Sequence, residues 1–468
     1  MKKLFGTDGI RSVAGQYPLD ASTVHAIGLA LAHTLSKTSP TPRVLLGMDT
    51  RESGPALTAQ LTAGLVAGGA SVENAGVITT PAIAYLTHTH RFAAGIVISA
   101  SHNPWQDNGI KVFGPDGYKL PDATELAIEA EIFHHLKSTS SPSKETGTSS
   151  QSGAPSSTQA KVGSQNNPPV NESDRADYIR FLLAAVSGLS LDNRRIVIDC
   201  ANGAASAVAP ELFAQLGGTE ILFTHASPDG RNINEQCGAL HPEIVAAQVR
   251  HHKAQLGITF DGDADRALFA DEDGNVVNGD AVLLLAARDL QARGLLTNST
   301  VVATTMSNMG LEAALKRSGI QMLRAAVGDK YVLEQMLATQ AALGGEQSGH
   351  IIFTGRSTTG DGLLTALLLL DIVHRSGKSL GELVSDLKVF PQVIVNVKVR
   401  EKRPLDAIPA VARAIAEAER ELADTGRVVI RYSGTEALAR VMIEAESEPA
   451  MRRHADTIAE AIRVELGI

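Results

Sequence analysis

Cysteine is nearly missing from this chain. Cys200 and Cys237 are the only two, which excludes a disulfide framework and a four-thiolate zinc site. Aromatic residues make up only 4%, while glycine reaches 42 residues, a balance that favours packed helices and tight loops. An excess of positive charge is also lacking. The 42 Lys and Arg stand against 51 Asp and Glu, for a net charge of −9, which argues against general nucleic-acid binding. A local basic pocket for a small anion remains open. The start, Met1-Lys2-Lys3-Leu4-Phe5-Gly6, has no apolar signal core. The strongest apolar stretch, 363–373, carries Asp371 and is too short to span a bilayer. These absences predict a cytoplasmic protein without a membrane partner.

Apolar residues, at 44% of 468, are abundant enough for several cores, which excludes a wholly disordered chain. Length alone, at roughly 150 residues per domain, predicts about three domains. One segment stands apart: 21 of the 34 residues in 138–171 are Ser, Thr, Pro or Gly. Such a stretch buries too little to offset its ordering entropy, so it reads as a flexible linker or insertion. On both sides, strands alternate with helices. Strands are expected at 44–48, 95–99, 195–199, Ile221–Thr224, 257–260 and Thr300–Thr304, and helices at 55–66, 207–216, 280–292 and Met309–Arg317. That rhythm predicts α/β units with mostly parallel sheets, and their similar sizes hint at triplication. The tail differs, with strands at 393–399, 427–431 and 441–444 around a long helix at 404–422, which predicts an α+β domain.

Four polar loops lie at or near the carboxyl ends of apolar runs, where open α/β sheets bind ligands. Ser99-Ala100-Ser101-His102-Asn103-Pro104 reads either as a plain turn broken by Asn-Pro or as the carrier of a nucleophilic or phosphorylated Ser101. The flanking glycines of a hydrolase elbow are absent. Lys111 follows as a source of charge or a proton. In Asp261-Gly262-Asp263-Ala264-Asp265-Arg266, three close carboxylates would repel unless a hard cation joined them, and oxygen ligands suit magnesium or calcium. Arg266 at the position that must be glycine and the strand-like flanks count against an EF-hand, and a solvated acidic turn is the plain alternative to a magnesium site. Gly344-Gly345-Glu346-Gln347-Ser348-Gly349-His350 offers donors and acceptors for sugar hydroxyls, with His350 able to move protons near neutrality; alone it reads equally as a polar turn. Arg431-Tyr432-Ser433-Gly434-Thr435-Glu436 is either a hairpin turn or a phosphate cradle of arginine, hydroxyls and backbone N–H groups. Together the loops point to a phosphorylated, hydroxylated small molecule, a divalent cation and a serine able to carry phosphate.

In this order the loops resemble those of the α-D-phosphohexomutase family. The resemblance extends to Phe5-Gly6-Thr7-Asp8-Gly9-Ile10-Arg11, Asp107-Asn108-Gly109-Ile110-Lys111, Asp199-Cys200-Ala201-Asn202-Gly203-Ala204, Asn232-Ile233-Asn234, Cys237-Gly238 and His241-Pro242-Glu243. It covers nearly all of the chain except 138–171. The resemblance implies four domains around a central cleft: three similar α/β domains, at 1–137, 172–279 and 280–388, and a smaller α+β domain at 389–468. It implies that Ser101 carries the catalytic phosphate and shares one magnesium ion with Asp261, Asp263 and Asp265. Arg11, Lys111 and Arg266 become basic residues of the active site, Lys111 and His350 the candidates for proton transfer. Glu346 and Ser348 would hold sugar hydroxyls, and Arg431, Ser433, Gly434 and Thr435 the phosphate that is not reacting.

Gln347 in the sugar loop resembles the family's glucosamine enzymes, whereas methionine there would suggest a mannose or glucose preference. The implied activity interconverts glucosamine 6-phosphate and glucosamine 1-phosphate through a hexose bisphosphate, feeding amino-sugar synthesis. It also implies a sugar-phosphate substrate, an outside phosphate donor that first loads Ser101, and a possible homodimer. The alternatives are a phosphomannomutase/phosphoglucomutase and a sugar-phosphate binding protein without catalysis. Two departures fall in the phosphate loop, where Tyr432 and Ala437 replace prolines common in the family.

Overall fold

Runs of buried β-branched residues and leucines become the inner strands of three sheets in a computed structural model, which describes residues 3–6, 8–139, 167–433 and 437–468. The first sheet contains β1 (Ile10–Val13), β2 (Arg43–Met48), β3 (Ser71–Val77), β4 (Ala94–Ile98) and β5 (Asp107–Phe113), in the order β1-β5-β4-β2-β3. It packs with α1 (Ala21–Ser36), α2 (Gly54–Ala67), α3 (Thr80–Thr89) and α4 (Asp122–Thr139). The second contains β6 (Ile196–Asp199), β7 (Ile221–Thr224), β8 (Leu256–Phe260), β9 (Ala267–Ala270) and β10 (Val276–Val277). Its helices are α5 (Glu172–Ala185), α6 (Ala205–Ala214) and α7 (Pro242–His252). The third contains β11 (Thr300–Thr304), β12 (Gln321–Ala325), β13 (Leu343–Gly345) and β14 (Ile351–Phe353). With it go α8 (Gly279–Ala292), α9 (Met309–Arg317), α10 (Asp329–Thr339), α11 (Gly362–Ser376) and α12 (Leu380–Val384).

All three sheets repeat one plan. A central strand (β2, β6 or β11) lies parallel to two neighbours, and the second neighbour (β4, β8 or β13) turns into an antiparallel fourth strand. The serine, triple-aspartate and sugar loops are the same connection in the three sheets: β4–β5, β8–β9 and β13–β14. One core cluster unites them, running from Leu45 and Phe113 through Tyr178 and Phe260 to Leu363 and Leu380. Tyr178 of α5 donates its hydroxyl to Asp361, 3.0 Å away, and Asp361 in turn caps α11 by accepting from Leu364 N at 2.9 Å.

A separate core holds the tail, where β15 (Gln392–Lys398), β16 (Gly426–Tyr432) and β17 (Leu438–Ala445) form an antiparallel sheet in the order β15-β17-β16. The helices α13 (Pro409–Leu422) and α14 (Glu448–Leu466) cover it. The long helix expected from residue 404 therefore starts later. Leu405–Ala407 make a 3-10 turn, and Pro409, which lacks an N–H, opens the helix at its first turn. The helix expected at 207–216 is Ala205–Ala214.

The low-complexity reading of 138–171 needs correcting at both ends. Helix α4 runs through Thr139, and the 167–171 end is docked: Val170 bridges Asn74, Asn74 Nδ2 donates to Pro168 O at 2.9 Å, and Asn171 caps α5. Backbone hydrogen bonding and a cap hold these residues where composition gave no hint. Residues 140–166 lie outside the described residues. Among those described, no helix is long and apolar enough to cross a membrane.

Candidate active site

Ser101 sits in the left-handed region, at φ 52°, and is almost fully buried. Its shape comes from a platform beneath it. The Arg51 side chain is wholly buried and spends all five N–H donors there: on Asp49 Oδ2 at 2.8 Å, Asp107 O, Ser101 O and Asn103 O at 2.9 Å, and Pro104 O. Asn234, itself left-handed at φ 59°, donates to Ser101 O at 2.9 Å and Asn103 O at 3.2 Å. The hydroxyl of Ser101 is thereby aimed at Asp261 Oδ2, 2.5 Å away. His102 Nδ1 stands 3.3 Å from the same hydroxyl. Burial and the nearby Arg266 and Arg11 push the pKa of His102 down to about 4, so its imidazole is neutral at physiological pH.

The triple-aspartate loop meets the serine loop by close backbone approach. A Cβ on Gly262 would lie 2.5 Å from Ser101 O and 2.9 Å from Asn234 Nδ2. Gly262→Ala must part the two loops, and a displacement near 1 Å costs on the order of 10²-fold in turnover. We expect that loss in kcat with an unchanged circular dichroism spectrum. Neighbouring units also hold the loop, Thr80 N donating to Asp263 O and Gly362 N to Ala264 O, both at 3.0 Å.

Asp261, Asp263 and Asp265 are buried, with one carboxylate oxygen of each lying within 4.8 Å of the others. Burial, then the charges of Asp265 and Asp263, raise Asp261 well above the ordinary carboxylate range. Burial would raise Asp265 too, but Lys111 and His350 overcome it and hold its carboxyl well below. Lys111 Nζ lies 2.7 Å from Asp263, 3.1 Å from Asp8 and 3.4 Å from Asp265, and these charges outweigh burial and raise its pKa. Lys111 is an ammonium here. Asp263 Oδ1 and Asp265 Oδ1 are nevertheless buried without a hydrogen bond. Two orphaned carboxylate oxygens beside a raised carboxyl, in an all-oxygen donor set, suit a hard divalent cation.

A cleft of about 370 Å³ opens above this cluster, bounded by Asp8 and Arg11, Asp265 and Arg266, and Glu346 and His350. Arg11 points Nη1 at Ala100 O and Asn103 Oδ1, both 3.4 Å away, and pairs with Asp8. Glu346 Oε1 accepts from Gly328 N at 3.1 Å, and Ser348 Oγ lies 3.4 Å from Glu346 Oε2. His350 accepts from Gly360 N on Nε2 at 2.9 Å, which leaves the ring proton on Nδ1, 3.6 Å from Asp265. Three α/β units thus meet at one charged cleft, each contributing the same loop.

Models of the phosphoglucomutase/phosphomannomutase family match this chain in four blocks: alpha/beta/alpha domain I at residues 2–138, domain II at 176–274, domain III at 278–390 and the C-terminal domain at 394–461. The chain belongs to the phosphoglucomutase/phosphomannomutase family. Curated relatives include the phosphoglucosamine mutase of Koribacter versatilis, 59% identical over all of this chain and 98% of that protein. The phosphoglucosamine mutase of Solibacter usitatus is 50% identical over 100% of this chain and 99% of its own length. Among solved structures, a phosphoglucomutase/phosphomannomutase family protein from Burkholderia thailandensis superimposes with TM-score 0.77 at 24% identity, each chain covered completely. The Aspergillus fumigatus N-acetylphosphoglucosamine mutase, solved with GlcNAc-6P and magnesium, gives 0.61 at 20% identity, covering 99% of this chain and 96% of that one.

Of the residues expected from the family's motifs, the structure gathers Ser101, Arg11, Lys111, Asp261, Asp263, Asp265, Arg266, Glu346, Ser348 and His350 around the cleft and the aspartates beneath it. Of the phosphate loop only Arg431, Tyr432 and Ser433 are described. Arg431 is the penultimate residue of β16 and Ser433 follows the strand, and no described residue of the C-terminal domain lines the cleft; Gly434 and Thr435 lie outside the described residues. The Gln347 amide donates to Asp280 Oδ2 at 3.1 Å. Sequence reasoning quoted Asn234 only as part of a family match without a role, and missed Arg51, Thr80 and Lys119, which bridges Asp8 at 2.5 Å to Asp329 of the third unit. For Arg51 a signal existed, since it stands at the carboxyl end of an apolar strand like the loops that were noticed. Lys119 had none.

Proposed function

We propose that this family member interconverts glucosamine 6-phosphate and glucosamine 1-phosphate, with Ser101 as the phosphoryl carrier. The observation that carries the reading is the Ser101 hydroxyl, 2.5 Å from Asp261 at the edge of three buried aspartates. Full-length relatives bearing the name phosphoglucosamine mutase support the choice of sugar.

Phosphoryl transfer depends on positioning and charge neutralisation more than on covalent chemistry. In the forward step a sugar hydroxyl oxygen bonds to phosphorus, the bond from phosphorus to Ser101 Oγ breaks, and the net proton passes from sugar to Oγ. Lys111, fixed as an ammonium beside Asp263, is the first candidate to deliver that proton, and His350 the second. Arg11 and Arg266 neutralise the phosphoryl oxygens. Glu346 and Ser348 accept and donate to sugar hydroxyls, while Gln347 sets the loop's position through Asp280. The bisphosphate then turns over and returns its other phosphate to Ser101, with Arg431, Ser433, Gly434 and Thr435 holding the distal phosphate. One Mg2+, held by Asp261, Asp263, Asp265 and the phosphorylated Ser101, would neutralise charge on the phosphoryl group. The working division is 1–137 for the serine unit, 172–279 for the metal unit, 280–388 for the sugar unit and 389–468 for the phosphate unit, the segment between the first two having the ordered ends described above. An outside donor first loads Ser101, and a hexose bisphosphate serves as activator.

Glucosamine 6-phosphate, glucose 6-phosphate and mannose 6-phosphate, compared by kcat/KM with magnesium and a hexose bisphosphate, test the reading. Preference for the amino sugar is the expected result. Preference for glucose or mannose phosphate would overturn the substrate and leave the chemistry standing, and no turnover of any would overturn the reaction.

A further inference from the structure

On the far side of the first unit's helices, away from the cleft, α1 and α4 place three ligand-type side chains together. His33 Nδ1 is 3.3 Å from Glu131 Oε1, and His135 Nε2 is 3.2 Å from the same oxygen. All three atoms lie within 4.8 Å of one another. Glu131 and His135 are one helical turn apart on α4, and His33 comes from the last turn of α1. None of the three touches the aspartate cluster or lines the cleft.

We propose that His33, Glu131 and His135 form a binding site for a divalent transition ion of the zinc type. Zinc holds imidazole nitrogen and carboxylate oxygen at about 2.0–2.2 Å in tetrahedral geometry, which leaves neighbouring ligand atoms about 3.3 Å apart. The two N···O separations already have that length. The His33 and His135 rings, with centroids 5.1 Å apart and planes at 56°, are spaced as two imidazoles are when both point at one ion, about 5 Å. Two imidazoles and a carboxylate select zinc, nickel, cobalt or copper over the hard cation that suits the all-oxygen aspartate cluster. The residues are half-buried, so an ion has a path in from solvent, and water completes the shell.

Such an ion cross-links α1 to α4. On the same α4, Glu129 accepts the backbone N–H groups of Lys3, Leu4 and Phe5 at 2.7–2.9 Å, anchoring the segment that leads to Asp8 and Arg11. The site therefore stiffens the first unit without touching its chemistry.

Zinc titration calorimetry on the full chain in saturating magnesium tests this, alongside His33→Ala and His135→Gln. The expected result is one zinc equivalent that disappears, or weakens by about tenfold or more, in both variants, while thermal unfolding loses its zinc-dependent rise. Cobalt bound there should show tetrahedral d–d bands without thiolate charge transfer. Both variants replace half-buried residues, and mutase turnover reports that they fold. Wild-type zinc affinity in both variants would overturn the proposal, as would no zinc uptake. Loss of the equivalent in Cys237→Ser instead would overturn it too, assigning the ion to the neighbouring-unit cluster of Asp199, His225 and Cys237.

Discussion

Ser101→Ala is expected to lower mutase turnover by on the order of 10⁴-fold or more while leaving the protein folded. The hydroxyl makes one strong bond, to Asp261, and the loop's shape is held by Arg51 and Asn234 through the Ser101 carbonyl, which alanine keeps. Losing a single neutral donor costs about 1–2 kcal/mol, well inside the stability of a domain. The variant should therefore unfold within a few degrees of the parent and fail to acquire phosphate. Intact-mass spectrometry after incubation with a hexose bisphosphate, beside the turnover assay, checks both halves. Undiminished turnover would remove Ser101 from the mechanism.

Arg51→Met is expected to do the reverse, costing the fold first and activity with it. Asp49 is fully buried, and burial raises its pKa despite Arg51 and the Ser99 hydroxyl. Without the guanidinium that carboxylate loses its countercharge, a break worth about 3–5 kcal/mol for a buried pair. Four carbonyls, those of Ser101, Asn103, Pro104 and Asp107, also lose the Arg51 donor, though Asn234 still serves the first two. Together these approach the whole stability of a domain. Urea unfolding should show a large fall in midpoint, and kcat should fall in whatever folded fraction survives. Arg51→Lys, which restores charge but cannot supply a five-donor fork, should rescue stability in part and kcat less. An unchanged urea midpoint in Arg51→Met would mean that the platform does not hold the serine loop.

How much of this was legible in the sequence depended on how local the signal was. The aspartate loop announced itself because three carboxylates at alternate positions directly follow an apolar strand. The three α/β units showed in the strand–helix rhythm, and the repeated loop position followed from it. The antiparallel fourth strand at 107–113 did not, since Asp107-Asn108-Gly109 reads as loop until pairing with β1 satisfies its backbone. Lys119 and Asp329 were invisible for a different reason. They lie 210 residues apart, and each alone is an unremarkable surface charge until two units close around it. Gln347 was legible only as a family signature; its hydrogen bond to Asp280 is a packing partner that periodicity cannot reveal.

The attachment of the C-terminal sheet carries a mechanical consequence. Arg427 and Glu444 bind each other at one end of β16 and β17, and there Arg427 holds Thr305 O and Ser307 O while Glu444 holds Met309 N. Tyr432 and Ser433 lie at the opposite end of the strand. Five residues of strand at about 3.4 Å each make an arm of roughly 17 Å between that seam and the loop. A turn of about 10° at the seam carries the tip roughly 3 Å, the scale of a hydrogen bond made or broken. The polar seam is thus a fulcrum. A slight roll of the last domain on the third, without any change inside either, is enough to swing Tyr432 and Ser433 relative to the seam.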